Sequence, residues 1–160
     1  MATVTKNLSA YDGNSVPNAE KLRFGIVVSE WNSNITEPLF HGAKEALVDC
    51  GAIDKNIIRY NVPGSFELVF GSKKLIETEK VDAVIAIGSV IRGETSHFDY
   101  VCGATAQGIK DVNLAYDVPV IFCVLTDDTL QQAKDRSGGK HGNKGTEAAI
   151  AAIKMAVLGS

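Results

Sequence analysis

Segments that read as strands alternate with segments that read as helices, and the alternation predicts an α/β fold of three layers, α/β/α, around a four-stranded parallel sheet. Three observations carry this prediction. Four short stretches are apolar without interruption, amphipathic helical patterns fill the intervals between them, and a chain of 160 residues has room for one domain.

Residues 1–21 are rich in Asn, Ser and Ala, carry Pro17 and show neither period. They read as an N-terminal arm, either loose or free to add to the edge of a neighbour's sheet. The single domain is expected over residues 22–160. Its strand candidates are L-R-F-G-I-V-V-S (22–29), N-I-I-R-Y-N-V (56–62), V-D-A-V-I-A-I-G-S-V-I (81–91) and V-P-V-I-F-C-V-L (118–125). Their hydrophobicity is continuous rather than alternating, so both faces of the sheet must be covered.

The intervals repeat at three and four. Ile35, Leu39, Ala43, Ala46, Leu47 and Cys50 share one helical face, with Pro38 near its start and Gly51 just past its end. Residues 66–79 gather Leu68, Val69, Ser72, Leu75 and Ile76, and residues 96–116 gather Val101, Ala104, Gly108, Ile109 and Val112. Two further helices are expected over 129–136 and 144–158, the last with a stripe of Ile150, Ile153 and Val157. Right-handed crossovers make the strands parallel, and only four strands favour the flavodoxin-like order 2-1-3-4 over a full dinucleotide-binding sheet. Ligands of such sheets bind beyond the carboxyl ends of the strands.

Composition sets the class. Hydrophobic residues at 45%, charged residues at 22% and a net charge of −3 describe an ordinary globular protein, without the low apolar content of disorder or the basic footprint of a nucleic-acid binder. No signal-peptide core opens the chain and no window nears the ~18 apolar residues of a membrane span, so a cytoplasmic protein without a membrane partner is expected. Cys50, Cys102 and Cys123 are odd in number, far apart and set among apolar neighbours. They read as buried reduced thiols rather than disulfide or metal ligands.

After the first strand, S-E-W-N-S-N (29–34) sets the only tryptophan, Trp31, in a polar turn before a helix. Two roles suit it: a packing residue that closes the sheet edge, or an aromatic platform for a planar ligand. Asn34 or Thr36 is expected to cap the helix. After the second strand comes V-P-G-S-F-E (62–67), in which Pro63 and Gly64 fix a tight turn and Ser65 is expected to cap the next helix. Glu67 in the first helical turn suits the dipole, or accepts hydrogen bonds from a polyol or an amine. A nucleophile elbow is excluded, because G-x-S-x-G needs glycine where Glu67 stands.

The third strand ends in I-G-S-V-I-R-G-E-T-S-H-F-D-Y (87–100). Gly93, Glu94 and Thr95 precede a helix, so free backbone N–H groups and the Thr95 hydroxyl make an anion site. His97 lies at the start of that helix, as a structural histidine or as a proton-transfer group. Ser96, His97 and Asp99 do not make a triad, since adjacent helical residues point in different directions. The fourth end, L-T-D-D-T (125–129), reads as helix capping. Beyond it, R-S-G-G-K-H-G-N-K-G-T-E (136–147) is glycine-rich and cationic, but Asn143 stands where a phosphate loop wants glycine, and a helix precedes it. It reads as a helix-to-helix linker in which Arg136 and Lys144 are anion-binding candidates. If they serve the third strand's site, their distance along the chain points to a neighbouring subunit.

Taken together, S-E-W-N-S-N-I-T, V-P-G-S-F-E, I-G-S-V-I-R-G-E-T-S-H-F-D-Y-V, P-V-I-F-C-V-L-T and R-S-G-G-K-H-G-N-K-G resemble the lumazine synthase family, in order from about residue 22 to the C-terminus. The resemblance implies a transferase of riboflavin biosynthesis, using no metal and no other cofactor. It would condense 5-amino-6-(D-ribitylamino)uracil with 3,4-dihydroxy-2-butanone 4-phosphate to 6,7-dimethyl-8-ribityllumazine, phosphate and water. By position, Trp31 matches the aromatic that stacks on the pyrimidine, and Ser65, Phe66 and Glu67 match the segment binding the ribityl-bearing substrate. Ser89, Val90 and Ile91 match the backbone that reads the pyrimidine edge, Glu94 and Thr95 the phosphate loop, and His97 the proton-transfer residue. Phe122 and Arg136 match an aromatic and a phosphate-binding arginine contributed by the adjacent subunit, and Lys144 a second basic residue near that boundary.

The implied assembly is a homopentamer with shared active sites, and the compact linker is like that of members that close an icosahedral capsid of sixty subunits. Riboflavin synthase is a further implied partner. On the residues alone, a non-catalytic flavin- or nucleotide-binding module of flavodoxin type fits Trp31 and the anion loop equally well.

Overall fold

The computed structural model describes residues 7–159. The four apolar stretches form β1 (Phe24–Ser29), β2 (Ile57–Val62), β3 (Ala83–Ile91) and β4 (Val120–Asp127), all parallel and ordered β2-β1-β3-β4. The three-layer class and the strand order are as expected. β4 runs two residues past its apolar stretch, through Thr126 and Asp127, because β3 extends to Ile91 and supplies ladder partners for both.

Between the strands lie α1 (Ser33–Asp49), α2 (Leu68–Glu79), α3 (His97–Ala115), α4 (Leu130–Arg136) and α5 (Lys144–Ala156). One apolar cluster joins Ile26, Val28, Ile85 and Ile87 to Ile35, Leu39 and Leu47 of α1 and Ile153 of α5. The other joins Val27, Val84 and Ala86 to Leu68 and Leu75 of α2 and Ile109 and Val112 of α3. Successive strand residues point to opposite faces, so an all-apolar β1 is what a sheet sandwiched between helices requires, and all of β1 is buried. Leu75 is wholly buried, and truncating it to alanine removes a contribution of about 2–5 kcal/mol.

Several local expectations are corrected. Neither Asn34 nor Thr36 caps α1; the capping position is Asn32, left-handed at φ 60° and without a side-chain cap bond. Thr36 is buried one turn on, and its hydroxyl donates to the Ser29 carbonyl at 2.8 Å, fastening α1 to the end of β1. Ser65 does not cap α2 either, because Glu67 precedes the helix with no side-chain cap bond, so Glu67 also stands before the first turn. Ser65 is buried instead, and its carbonyl accepts from Thr105 Oγ1 at 3.2 Å. Capping at the fourth strand end does occur: Thr129 and Gln132 form a reciprocal capping box on α4.

The stretch read as a plain linker folds into an antiparallel hairpin, β5 (Ser137–Gly139) with β6 (Gly142–Asn143). Gly138 and Gly142 sit at φ 112° and 84°, conformations that favour glycine. Asn143 then accepts the Gly145 N–H and donates to the Pro38 carbonyl, each at close hydrogen-bond distance, so the hairpin sets α5 against α1.

All three cysteines are free, but only Cys123 is buried, and burial pushes its thiol up to about 12. Cys50 and Cys102 are half-buried, since they lie on or beside helices whose apolar faces are only partly covered. Residues 7–21 rest on their own chain. The Leu8 N–H donates to the His141 carbonyl at 2.8 Å, and buried Ala19 donates to the Cys50 carbonyl at 2.9 Å. The first six residues of the expected arm lie outside the described residues. Among the described residues no helix is long and apolar enough to cross a membrane.

Candidate active site

β1 stops before β3 does. β1 pairs with β3 from Phe24↔Ala83 to Val28↔Ile87, whereas β3 keeps β4 as its partner out to Ile91↔Asp127. Among the described residues, the peptide groups of 88–91 that face away from β4 therefore lack a strand partner. One of them, the Ser89 carbonyl, accepts from Asn32 Nδ2 at 2.9 Å.

A cleft of about 890 Å³ opens at this step in the sheet. That volume suits a small-molecule ligand. The end of β1 contributes Trp31 and Asn32, the end of β2 contributes Pro63, Gly64, Ser65, Phe66 and Glu67, and β3 contributes Ser89, Val90 and Ile91. Gly93, Thr95, His97, Phe98 and Tyr100 close the far side.

Trp31 is 73% exposed, so its ring does not close the sheet edge. Its backbone is nonetheless fixed: the Glu30 N–H donates to the Val62 carbonyl at 2.8 Å and the Trp31 N–H to the Pro63 carbonyl at 3.1 Å, continuing the β1–β2 ladder into the turn. A rigidly rooted, uncovered ring is suited to stacking. On the opposite wall, a Cβ at Gly88 would stand 2.6 Å from Ser65 Oγ, so glycine there lets the β2–α2 turn close against β3.

The third strand end leads through exposed residues 93–96 into α3, which begins at His97. The His97 N–H points back to Thr95 Oγ1 at 3.4 Å, and the imidazole is exposed in the cleft. An anion at this turn would meet the positive end of a helix of 19 residues.

The remaining candidates are elsewhere. Glu94 stands in the exposed turn but does not line the cleft, and Phe122, on β4, is partly exposed away from it. Arg136 ends α4, where its Nη1 donates to the Gln132 carbonyl at 3.0 Å and lies 4.0 Å from Asp127 Oδ1. Lys144 Nζ pairs with Glu147 at 3.0 Å. Among the described residues, no group of His, Cys, Asp and Glu gathers to hold a metal ion.

Sequence reasoning missed three residues. Asn32 bridges β1 and β3, but a left-handed asparagine with a long-range bond leaves no periodic mark. Asp127 is only 7% exposed, with Oδ2 lacking a hydrogen-bond partner; burial raises its carboxyl above the ordinary value, opposed by Arg136 and reinforced by Asp128. Its burial follows from the two-residue extension of β4, which hydrophobicity did not signal. Arg92 is the third, and binds Asp99 and Asp128 together.

Fold and cleft define an α/β protein with a cleft of small-molecule size at the carboxyl edge of the sheet, where an uncovered aromatic ring, an open strand edge and a histidine at a helix start come together. Residues 21–159 match the family model of 6,7-dimethyl-8-ribityllumazine synthase. The 6,7-dimethyl-8-ribityllumazine synthase of Flavobacterium psychrophilum is 68% identical over 99% of this chain and 84% of its own length. Those of Flavobacterium johnsoniae and Christiangramia forsetii are 66% and 62% identical, each over 99% of this chain and over 83% and 95% of their own lengths. The chain belongs to the 6,7-dimethyl-8-ribityllumazine synthase family.

Proposed function

We propose that the cleft is where this chain, by family a transferase of riboflavin biosynthesis, condenses 5-amino-6-(D-ribitylamino)uracil with 3,4-dihydroxy-2-butanone 4-phosphate to 6,7-dimethyl-8-ribityllumazine. The observation that carries the reading is the convergence of Trp31, the open edge of β3 and His97 on one cleft.

The first substrate is a planar uracil with a polyol tail. Trp31 stacks on the ring, the peptide groups of Ser89, Val90 and Ile91 read its edge, and Ser65, Phe66 and Glu67 receive the ribityl chain. The second substrate carries a phosphate. The backbone N–H groups of Glu94 and Thr95, the Thr95 hydroxyl and the start of α3 bind it, and Arg136 of the adjacent subunit adds a cationic fork. Phe122 and Lys144 stand at that same boundary.

The amine adds to the ketone and loses water to give an imine; phosphate leaves, and the ribitylamino nitrogen closes the ring with loss of a second water. Each step moves a proton and none requires a bond to the protein. His97, between the pyrimidine edge and the phosphate turn, carries those protons. Much of the acceleration comes from holding amine and ketone in contact.

A site completed by Phe122 and Arg136 of another chain makes the enzyme a homo-oligomer, read here as a cytoplasmic pentamer that closes an icosahedral shell, with riboflavin synthase as an associate. Sedimentation of the purified protein separates pentamer from shell.

Mixing the two substrates with the protein and following lumazine absorbance and fluorescence tests the activity. A rate well above the spontaneous condensation is expected. Tight flavin binding without such a rate would replace the reading by a non-catalytic flavin- or nucleotide-binding module.

A further inference from the structure

The turn formed by residues 93–96 is exposed throughout, and among the described residues its one side-chain hydrogen bond is the 3.4 Å contact from the His97 N–H to Thr95 Oγ1. A Cβ built at Gly93 meets nothing within 4 Å. A turn so sparsely tethered does not by itself hold N–H groups in a fixed array. The residue that precedes it is bound on every side. The Arg92 N–H donates to the Asp127 carbonyl at 2.9 Å, extending the β3–β4 ladder by one residue. Its Nε donates to Asp128 Oδ1 at 2.9 Å, and its two terminal nitrogens reach the two oxygens of Asp99 at 3.2 and 3.4 Å. The guanidinium carbon lies over the ring of Phe98, 4.1 Å from its centroid, and Phe98 is buried and lines the cleft.

We propose that Arg92 is a positioning residue that braces the phosphate-binding turn, by tying the end of β3 to the first turn of α3 and to the loop between β4 and α4. The proposal rests on the reading of residues 93–95 as the phosphate site. Asp99 is two residues past His97, so the Arg92–Asp99 fork closes the turn from both ends and fixes the helix start that carries the imidazole. Asp128 is a firm anchor, because its own N–H donates to Gln132 Oε1 within the capping box of α4. With its nitrogens on two carboxylates and its face on Phe98, the guanidinium is not itself available as a phosphate ligand. The three side chains are well exposed, at 43%, 60% and 66%, and ion pairs in such positions add little to stability. What the network fixes is geometry.

The test uses the assembled full-length enzyme with Arg92→Gln, Arg92→Lys, Asp99→Asn and Thr95→Val, varying each substrate in turn. Arg92→Gln is expected to raise KM for the butanone phosphate about tenfold, the loss of roughly one well-formed charge-assisted contact, with KM for the pyrimidine within about twofold. Its Tm should stay close to wild type. Arg92→Lys should recover only part of the loss, because one ammonium cannot fork onto Asp99, reach Asp128 and cover Phe98 together. Combining Arg92→Gln with Asp99→Asn should cost less than the sum of the two. A wild-type KM for the butanone phosphate in Arg92→Gln, beside a raised one in Thr95→Val, overturns the brace alone. An unchanged KM in Thr95→Val removes the phosphate reading and the brace with it. A fall in Tm accompanied by equal losses for both substrates would make Arg92 a general structural residue and also overturn the proposal.

Discussion

The side-chain amide of Asn32 donates to the Ser89 carbonyl at 2.9 Å, bridging the loop after β1 to the part of β3 that β1 no longer reaches. The bond occupies one acceptor of the open strand edge and leaves its neighbours to a ligand. Asn32 holds this place at φ 60°, where asparagine is tolerated far better than a β-branched residue. Asn32→Gly keeps the backbone and loses the bond, at about 1 kcal/mol, and should raise the pyrimidine KM. Asn32→Val adds a conformational penalty of about 1–2 kcal/mol and should melt lower still. Equal melting of the two variants would argue against strain at this residue.

Trp31 is the chain's only tryptophan, so its fluorescence reports the cleft directly. Pyrimidine binding should quench it. Trp31→Ala should leave Tm almost unchanged, because the ring is uncovered, while weakening pyrimidine binding by roughly tenfold for the lost stacking. A large fall in Tm with unaltered binding would return Trp31 to a packing role.

His97→Ala should slow single-turnover condensation by about 10²-fold, the usual scale for a lost general acid or base. Spontaneous condensation sets a floor under the measured rate, so enzyme in excess is needed. Unchanged single-turnover kinetics would remove His97 from the chemistry.

Asp127 gives a stability prediction with a definite sign. Burial raises its folded carboxyl above the ordinary value, and the pull from Arg136 does not cancel that. The unfolded chain therefore gives up this proton at lower pH than the folded one, so any stabilisation by Asp127 is complete below the ordinary carboxylate range and is lost as pH rises through the raised folded value. Asp127→Asn cannot ionise. It should melt above wild type at about pH 7, and the gap should narrow as pH falls toward the ordinary carboxylate range and the wild-type carboxyl takes up its proton in the folded state. A variant that melts below wild type at neutral pH would show that the contact with Arg136 outweighs burial.

The sheet was legible because burial on both faces demands uninterrupted apolar runs, and 24–29 and 83–91 are such runs. The glycine, threonine and histidine after β3 were legible because a helix start imposes local residue choices. What escaped depends on contacts without a sequence period. Arg92 meets partners 7 and 36 residues away. The hairpin at 137–143 is too short to show alternation, and Cys102, apolar in its sequence surroundings, lies on a helix only partly covered. Asp127 reads as a capping residue until the ladder with Ile91 buries it.

Arg136 packs beside Asp127 at the end of β4 and does not line its own cleft, so under the proposed function a complete site takes one cleft and a neighbour's arginine. Co-assembling His97→Ala subunits, which keep Arg136, with Arg136→Ala subunits, which keep the cleft, measures this directly. Random assembly at equal amounts should restore about a quarter of the wild-type rate, the share of sites that receive both intact parts. A mixture no more active than the mean of its two parents would contradict a site shared between chains.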